Sequence, residues 1–188
     1  NVAFSFGADA AYFNPANMMF LDGLHHFEST LGWFHINKLE FKSDSCKSYR
    51  SEKFDSLAGT FSFVTPEIYE NWKFGLALAV PAAVGVSWED PATAFTAKRF
   101  KLQVIELNPT VAYRINDKLA VAIGARGVYT KGKIASDFGR IGYREIKGDG
   151  MGYGYNVALT YRPIEDLSFA VTYRSNVNLE LKGHTDAD

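Results

Sequence analysis

Arg126, Arg162, Arg174 and Asn156 all belong to the polar set of segments in which apolar and polar residues alternate, so each would project from one face of a strand. A guanidinium offers a planar fork of N–H donors that matches a carboxylate, and an amide both donates and accepts. Together they could receive an acidic headgroup. The same arginines could instead pair with acids on their own face, Glu106 and Glu180 among them. Other suggestive sets fail on spacing. Gly148, Gly150, Gly152 and Gly154 lead into a strand, with no helix N-terminus to hold a phosphate. His25 and His26 lack further ligands at metal-binding spacing, and no Ser, His and acid set stands out as a nucleophilic constellation. No catalytic residue, metal or cofactor is expected, and the chain does not read as an enzyme.

The element that must position these groups is clearest between Trp72 and Trp88. Trp72, Phe74, Leu76, Leu78, Val80, Ala82, Val84, Val86 and Trp88 occupy one parity, and Lys73, Gly75, Ala77, Ala79, Pro81, Ala83, Gly85 and Ser87 the other. A period of two over such a length means a β-strand whose faces meet different media. At ~3.3 Å per residue the strand is about 55 Å long, well beyond an ordinary globular strand. An apolar face closed at each end by Trp suits a strand tilted through a bilayer, with hydrocarbon outside and a lumen inside.

The remaining segments follow the same logic. Strands are predicted over 27–41, 57–65, 99–115, 119–134, 151–162 and 167–182, giving seven in all. In the fourth, Phe100, Leu102 and Val104 share one parity while Ile105, Leu107, Val111 and Tyr113 share the other; such a slip predicts a β-bulge near Val104-Ile105. Connections alternate between short (66–71, 116–117, 163–166) and long (42–56, 89–98, 135–150), as in an up-and-down barrel with periplasmic turns and external loops. Residues 1–26 show no sustained alternation, and Asn14-Pro15-Ala16 marks a turn. Seven strands leave an open edge that a bilayer does not tolerate, so the chain reads as part of a larger barrel.

Composition agrees. The formal net charge is −1, which gives no basic footprint for nucleic acid. Aromatics make up 15% of the residues, yet no apolar run is long enough for a transmembrane helix. The single cysteine, Cys46, sits in a polar segment and reads as an unpaired surface thiol. Two further readings stay open: a barrel-embedded enzyme, and a soluble lipid-binding barrel. The soluble form would turn its apolar faces inward.

Three stretches taken in order resemble the outer-membrane fatty-acid and hydrocarbon transporters of the FadL/TodX type: AAYFNPANM (10–18), LNPTVAYRINDKLAVAIGARGVYTKGKI (107–134) and YNVALTYRPIEDLSFAVTYRSNVNLELKG (155–183). The resemblance implies an all-β, up-and-down transmembrane barrel of fourteen strands, of which 27–188 would be the first half and 1–26 the end of an N-terminal plug. It implies passive transport of long-chain fatty acids or hydrocarbons in the bacterial outer membrane, by a protein that is a monomer when full length. Asn14, Pro15 and Ala16 would be the plug element. Pro81 and Gly85, with the small Ala79 and Ala83, would lie where the family's strand kinks to open the wall sideways; Pro81 alone could mark no more than a bulge. Arg126, Asn156, Arg162 and Arg174 would face the lumen.

Overall fold

A computed structural model describes residues 2–42, 47–88 and 98–187. Cys46 and most of the 89–98 connection lie outside them. The chain forms one antiparallel wall. Its strands are β1 (His26–Ile36), the short β2 (Glu40–Lys42) and β3 (Ser48–Arg50), β4 (Phe54–Val64), β5 (Trp72–Ser87), β6 (Arg99–Asn116), β7 (Leu119–Asp137), β8 (Tyr143–Ile164), β9 (Leu167–Arg174) and β10 (Lys182–Ala187). The order β1-β4-β5-β6-β7-β8 follows the sequence, and β9 and β10 both pair with β8. Strands β2 and β3 form a separate hairpin, so the expected 27–41 strand stops at Ile36 and its last residues, Glu40 and Phe41, pair with part of what reads from sequence as the 42–56 loop. Among the described residues nothing pairs β1 with β9 or β10, so the wall is an open half-barrel of seven strands.

Period-two burial is clearest in β5, where Lys73, Gly75, Ala77 and Ala79 are buried and Trp72, Phe74, Leu76 and Leu78 exposed. The buried face is covered by a short helix, α1 (Ala10–Phe13), and a 3₁₀ segment, Pro15–Phe20. Ala10, Ala11, Met18 and Met19 form a core with Ala77, Ala112, Ala120 and Ala158 of the wall. Small wall residues let the helical segment sit close: a Cβ at Gly75 would lie 2.5 Å from Met18 Sδ. On the opposite face large apolar side chains stand free, Leu31 at 77% and Tyr153 at 73% exposure, so the apolar faces are not turned inward as a soluble barrel requires. Trp72, Tyr113 and Tyr161 mark the lower end of this apolar band and Tyr129 and Tyr153 the upper end, as aromatic girdles do at bilayer interfaces.

The structure corrects four sequence-based expectations. The bulge lies in β5, where pairing with β6 runs from Trp72↔Tyr113 to Ala79↔Glu106 and resumes one residue out of step at Ala82↔Val104. Pairing of β6 with β7 is in step from Arg99↔Ala135 through Arg114↔Ala120, so there is no bulge at Val104-Ile105. Phe100, Leu102 and Val104 simply point inward. The apolar phase changes because the medium changes: above the girdle the outer face carries Arg99, Lys101 and Gln103. Second, the β5 bulge exchanges faces, because a one-residue shift turns every later side chain over. Val84 and Val86 pair with inward Leu102 and Phe100, while Ala83 and Gly85 pair with outward Gln103 and Lys101. Third, the expected long loop at 135–150 is mostly strand, with β7 and β8 paired out to Asp137↔Tyr143. Fourth, the last strand is not continuous. Its ladder with β8 ends at Arg174↔Asn156 and restarts at Lys182↔Asp149. Between these points the chain leans over the inner face of β8, where a Cβ at Gly152 would lie 2.6 Å from the Asn178 carbonyl oxygen.

Candidate functional site: the helical segment, its seat and a gap in the wall

Asn14 precedes Pro15, whose fixed φ suits the first position of the 3₁₀ segment. Its Oδ1 accepts from Ala16 N–H at 3.2 Å, capping the segment. Its two Nδ2 hydrogens are shared among Val2 O, Asn17 Oδ1 and Thr160 Oγ1 at 2.8, 3.0 and 2.9 Å, and Thr160 Oγ1 donates to Asn17 Oδ1 at 2.7 Å. Asn14, Asn17 and Thr160 are all buried, so each bond replaces one that water can no longer make. Asn14, Pro15 and Ala16 therefore form a fixed joint with β8.

Cations of the wall close on the carbonyl oxygens of the helical segment. Lys73 Nζ donates to Leu21 O and Asp22 O, both at 2.8 Å. Arg114 Nη2 donates to Met19 O at 2.6 Å and to Glu67 at 3.0 Å. Arg174 Nη2 donates to Tyr12 O and its guanidinium lies 4.2 Å from the Tyr12 ring centroid. Arg162 lies 5.3 and 5.1 Å from the rings of Phe6 and Phe20. Orphan carbonyls at helix ends favour such cations.

Arg126 is held by Glu106 in a bidentate pair at 2.8 and 3.0 Å and donates to Ser175 O at 3.0 Å. Glu106 also lies 3.7 Å from Arg174. Asn156 Nδ2 donates to Asn108 Oδ1 at 3.3 Å. Arg126, Arg162, Arg174 and Asn156 thus do face inward, and the first three are engaged with protein groups: an acid of their own face, the helical segment, or the inward-leaning chain. Lys73, Arg114, Asn17 and Thr160 were missed from sequence. Lys73 did carry a signal, a long cation heading an otherwise small inward set, but nothing marks the carbonyls it would meet.

Beside the bulge the wall parts. Pairing of β4 with β5 runs from Val64↔Gly75 only to Thr60↔Ala79. Contact returns at an isolated bridge, Ser51↔Trp88, and through Glu52 N–H to Ser87 O at 2.8 Å. Among the described residues, 80–86 of β5 therefore have no ladder partner on the β4 side. Pro81 lacks an N–H and so leaves no donor orphaned there. A cavity of about 480 Å³ lies against this gap, lined by Phe54, Leu57, Ala83 and Val84 with Lys101 and Gln103. Gly85 leaves room for the Phe54 ring, since a Cβ would lie 2.5 Å from its Cε2. Of the predicted opening set, Ala79 faces inward below the bulge, while Ala83 and Gly85 face outward above it. All four, Pro81 included, border the gap.

Comparisons with known proteins agree with this arrangement. The family described as outer membrane protein transport protein (OMPP1/FadL/TodX) matches residues 1–188. The long-chain fatty acid transport proteins of Escherichia coli K12 and Salmonella typhi are each 25% identical over 187 and 176 residues, 78% of this chain and 41% and 40% of theirs. The chain thus spans about two-fifths of the length of these curated relatives. A Pseudomonas aeruginosa FadL homologue superposes with a TM-score of 0.83 at 20% identity, over 100% of this chain and 51% of its own. The P. putida toluene transporter TodX superposes at 0.77 with 16% identity, over 100% and 56%. With seven strands in sequence order, an inward helical segment and a profile match along its whole length, this chain belongs to the OMPP1/FadL/TodX family of outer-membrane transport proteins.

Proposed function

We propose that the chain forms the first half of the barrel (27–188) and the end of the plug (1–26) of a passive outer-membrane transporter for hydrophobic molecules, long-chain fatty acids or hydrocarbons. The ligand leaves sideways through the gap between β4 and β5. The observation that carries this reading is the lapse of pairing between Thr60↔Ala79 and Ser51↔Trp88 beside the Pro81 bulge. Unpaired backbone is tolerated where it lines a cavity, and the cavity here sets apolar Phe54, Leu57, Ala83 and Val84 beside Lys101, Gln103 and Lys131 at the height of the upper girdle. Val84 and Val86, turned inward by the bulge, join Leu102 and Phe100 in an apolar lining that leads from the upper lumen to the gap. Asn14, Pro15 and Ala16 anchor the plug beneath it, and Arg126, Asn156, Arg162 and Arg174 hold the plug and the lumen wall in place. Ligand and outer-membrane lipid are the partners, and the completed barrel works as a monomer.

A disulfide across the gap tests the route. In the full-length protein, Leu57→Cys with Ala83→Cys, oxidised and verified by mass spectrometry, should abolish uptake of a radiolabelled hydrophobic substrate and leave folding and surface display unchanged. Reduction should restore uptake. Normal uptake with the bridge in place would mean that the ligand passes down the lumen instead.

A further inference from the structure

Above the upper aromatic girdle the outer face of the wall carries a row of lysines set directly opposite one another on three consecutive strands: Lys101↔Lys133 across β6 and β7, and Lys133↔Lys147 across β7 and β8. Lys131 sits one outward step below Lys133 and one above Tyr129. Like charges directly opposite on neighbouring strands destabilise a sheet. At about 4.8 Å between strands, the row places the backbones of three lysines within roughly 10 Å.

Anions of the chain answer only part of this charge. Glu145 pairs with Lys133 at 2.7 Å and Lys147 at 2.5 Å, and Asp186 lies 3.7 Å from Lys147. Asp149 stands opposite Lys131 in register, yet among the described residues neither Lys131 nor Lys101 forms an ion pair. Both are exposed. Two cavities meet along the row. The 480 Å³ cavity at the β4–β5 gap takes Lys101, Lys131 and Lys133 into its wall together with Asp55, which is held by His35, and a second of about 280 Å³ is lined by Lys131, Lys133, Lys147 and His184 together with Asp149. The result is a cationic groove on the membrane-facing side, at the height where lipid headgroups begin, with apolar side chains directly below.

The geometry points to a docking site for a phosphorylated lipid headgroup of the outer leaflet. Its phosphates meet Lys101 and Lys131, its sugars span the groove, and its acyl chains run down the apolar face past Tyr129 and Met151. Cations just outside the hydrocarbon attract anionic headgroups in this way, and a phosphate supplies more acceptor oxygens than the single Glu145 carboxylate. A lipid bound here stands beside the gap without entering the lumen.

The test uses the full-length protein in phosphatidylcholine nanodiscs containing either a bis-phosphorylated glucosamine lipid (lipid A) or its dephosphorylated form, with lysine acylation read by mass spectrometry. Lipid A should protect Lys101 and Lys131 several-fold relative to Lys118 in the opposite turn, and the dephosphorylated lipid should not. Lys101→Gln with Lys131→Gln should weaken lipid A retention on the order of tenfold or more, while Lys118→Gln leaves it unchanged; a heat-modifiable gel shift establishes that each variant is folded. Equal labelling in the two bilayers would overturn the proposal. So would equal protection by inorganic phosphate alone, which would make the row a small-anion site.

Discussion

Asn14 ties the helical segment together and to the wall, because its amide serves a cap, the Val2 carbonyl and a wall hydroxyl at once. Removing one partner of a buried set leaves the others unsatisfied, at about 1–3 kcal/mol each. Asn14→Ala and Thr160→Val should each lower stability by roughly that amount, read as an earlier loss of the heat-modifiable folded band, with Asn14→Ala the larger. Gly75→Val should displace Met18 and act on the same seat, exposing the N-terminal segment to protease while the wall persists. The lipid face answers to a different rule. Val171→Arg should cost ~2–4 kcal/mol near the bilayer midplane, and inward Thr172→Arg much less. Equal losses in a detergent-to-lipid folding assay would refute the assignment of faces. Ala158 is no substitute for Thr172 in that comparison, since it is buried beneath the helical segment. The facing of Arg126, Arg162, Arg174 and Asn156 was legible in the alternation around them. Their partners were not, because a main-chain carbonyl such as Tyr12 O leaves no mark in sequence.

Each strand was legible where its two faces meet lipid and plug, and misread where either medium ends. In β5 the exchange of faces at Pro81 is hidden in the sequence, because Val84 and Val86 are apolar under either reading. In β6 a true change of medium mimics a bulge. The upper β7–β8 hairpin looked like a loop because its charged residues and glycines lack an apolar face, yet its cross-strand pairs continue. At the end of that hairpin, Asp137 accepts from Lys98 Nζ at 2.8 Å and from Gly139 N–H at 2.9 Å. The Lys98 hydrogen bond, and next the Gly139 N–H, hold the Asp137 carboxyl below the usual carboxylate range. A depressed carboxyl stabilises the folded form above its unfolded pKa, and that stability is lost as pH falls through the folded value. Protection of the Gly139 amide from hydrogen exchange should therefore be constant from about pH 5 to 8 and fall below about pH 4. Asp137→Asn should remove that pH dependence.

For the molecule as a whole, strand order and the alternation of ends predict sidedness. The ends of β1, β5 and β7 and the starts of β4, β6 and β8 share one end of the wall, and the 65–71, 117–118 and 165–166 connections share the other, with the helical segment. In intact cells Cys46 should react with an impermeant thiol reagent and a cysteine at Asp117→Cys should not; the reverse pattern would invert the orientation. That the two sets of connections lie at opposite ends was readable from the strand order alone, since the 138–142 connection is shorter than 65–71. The seat of the helical segment was not, since it gathers residues far apart in sequence. That dispersion has a consequence for assembly. Asn14 bonds Thr160 across 146 residues of chain, and Tyr12 bonds Arg174 across 162. The segment made early is thus bonded late. Its anchors on β5 and β6 can form once those strands are placed, but the joint at Asn14 waits for β8 and the Arg174 clasp for β9. Closing such long loops is slow, so the wall must pass through a stage in which its lower end is lined but not yet locked.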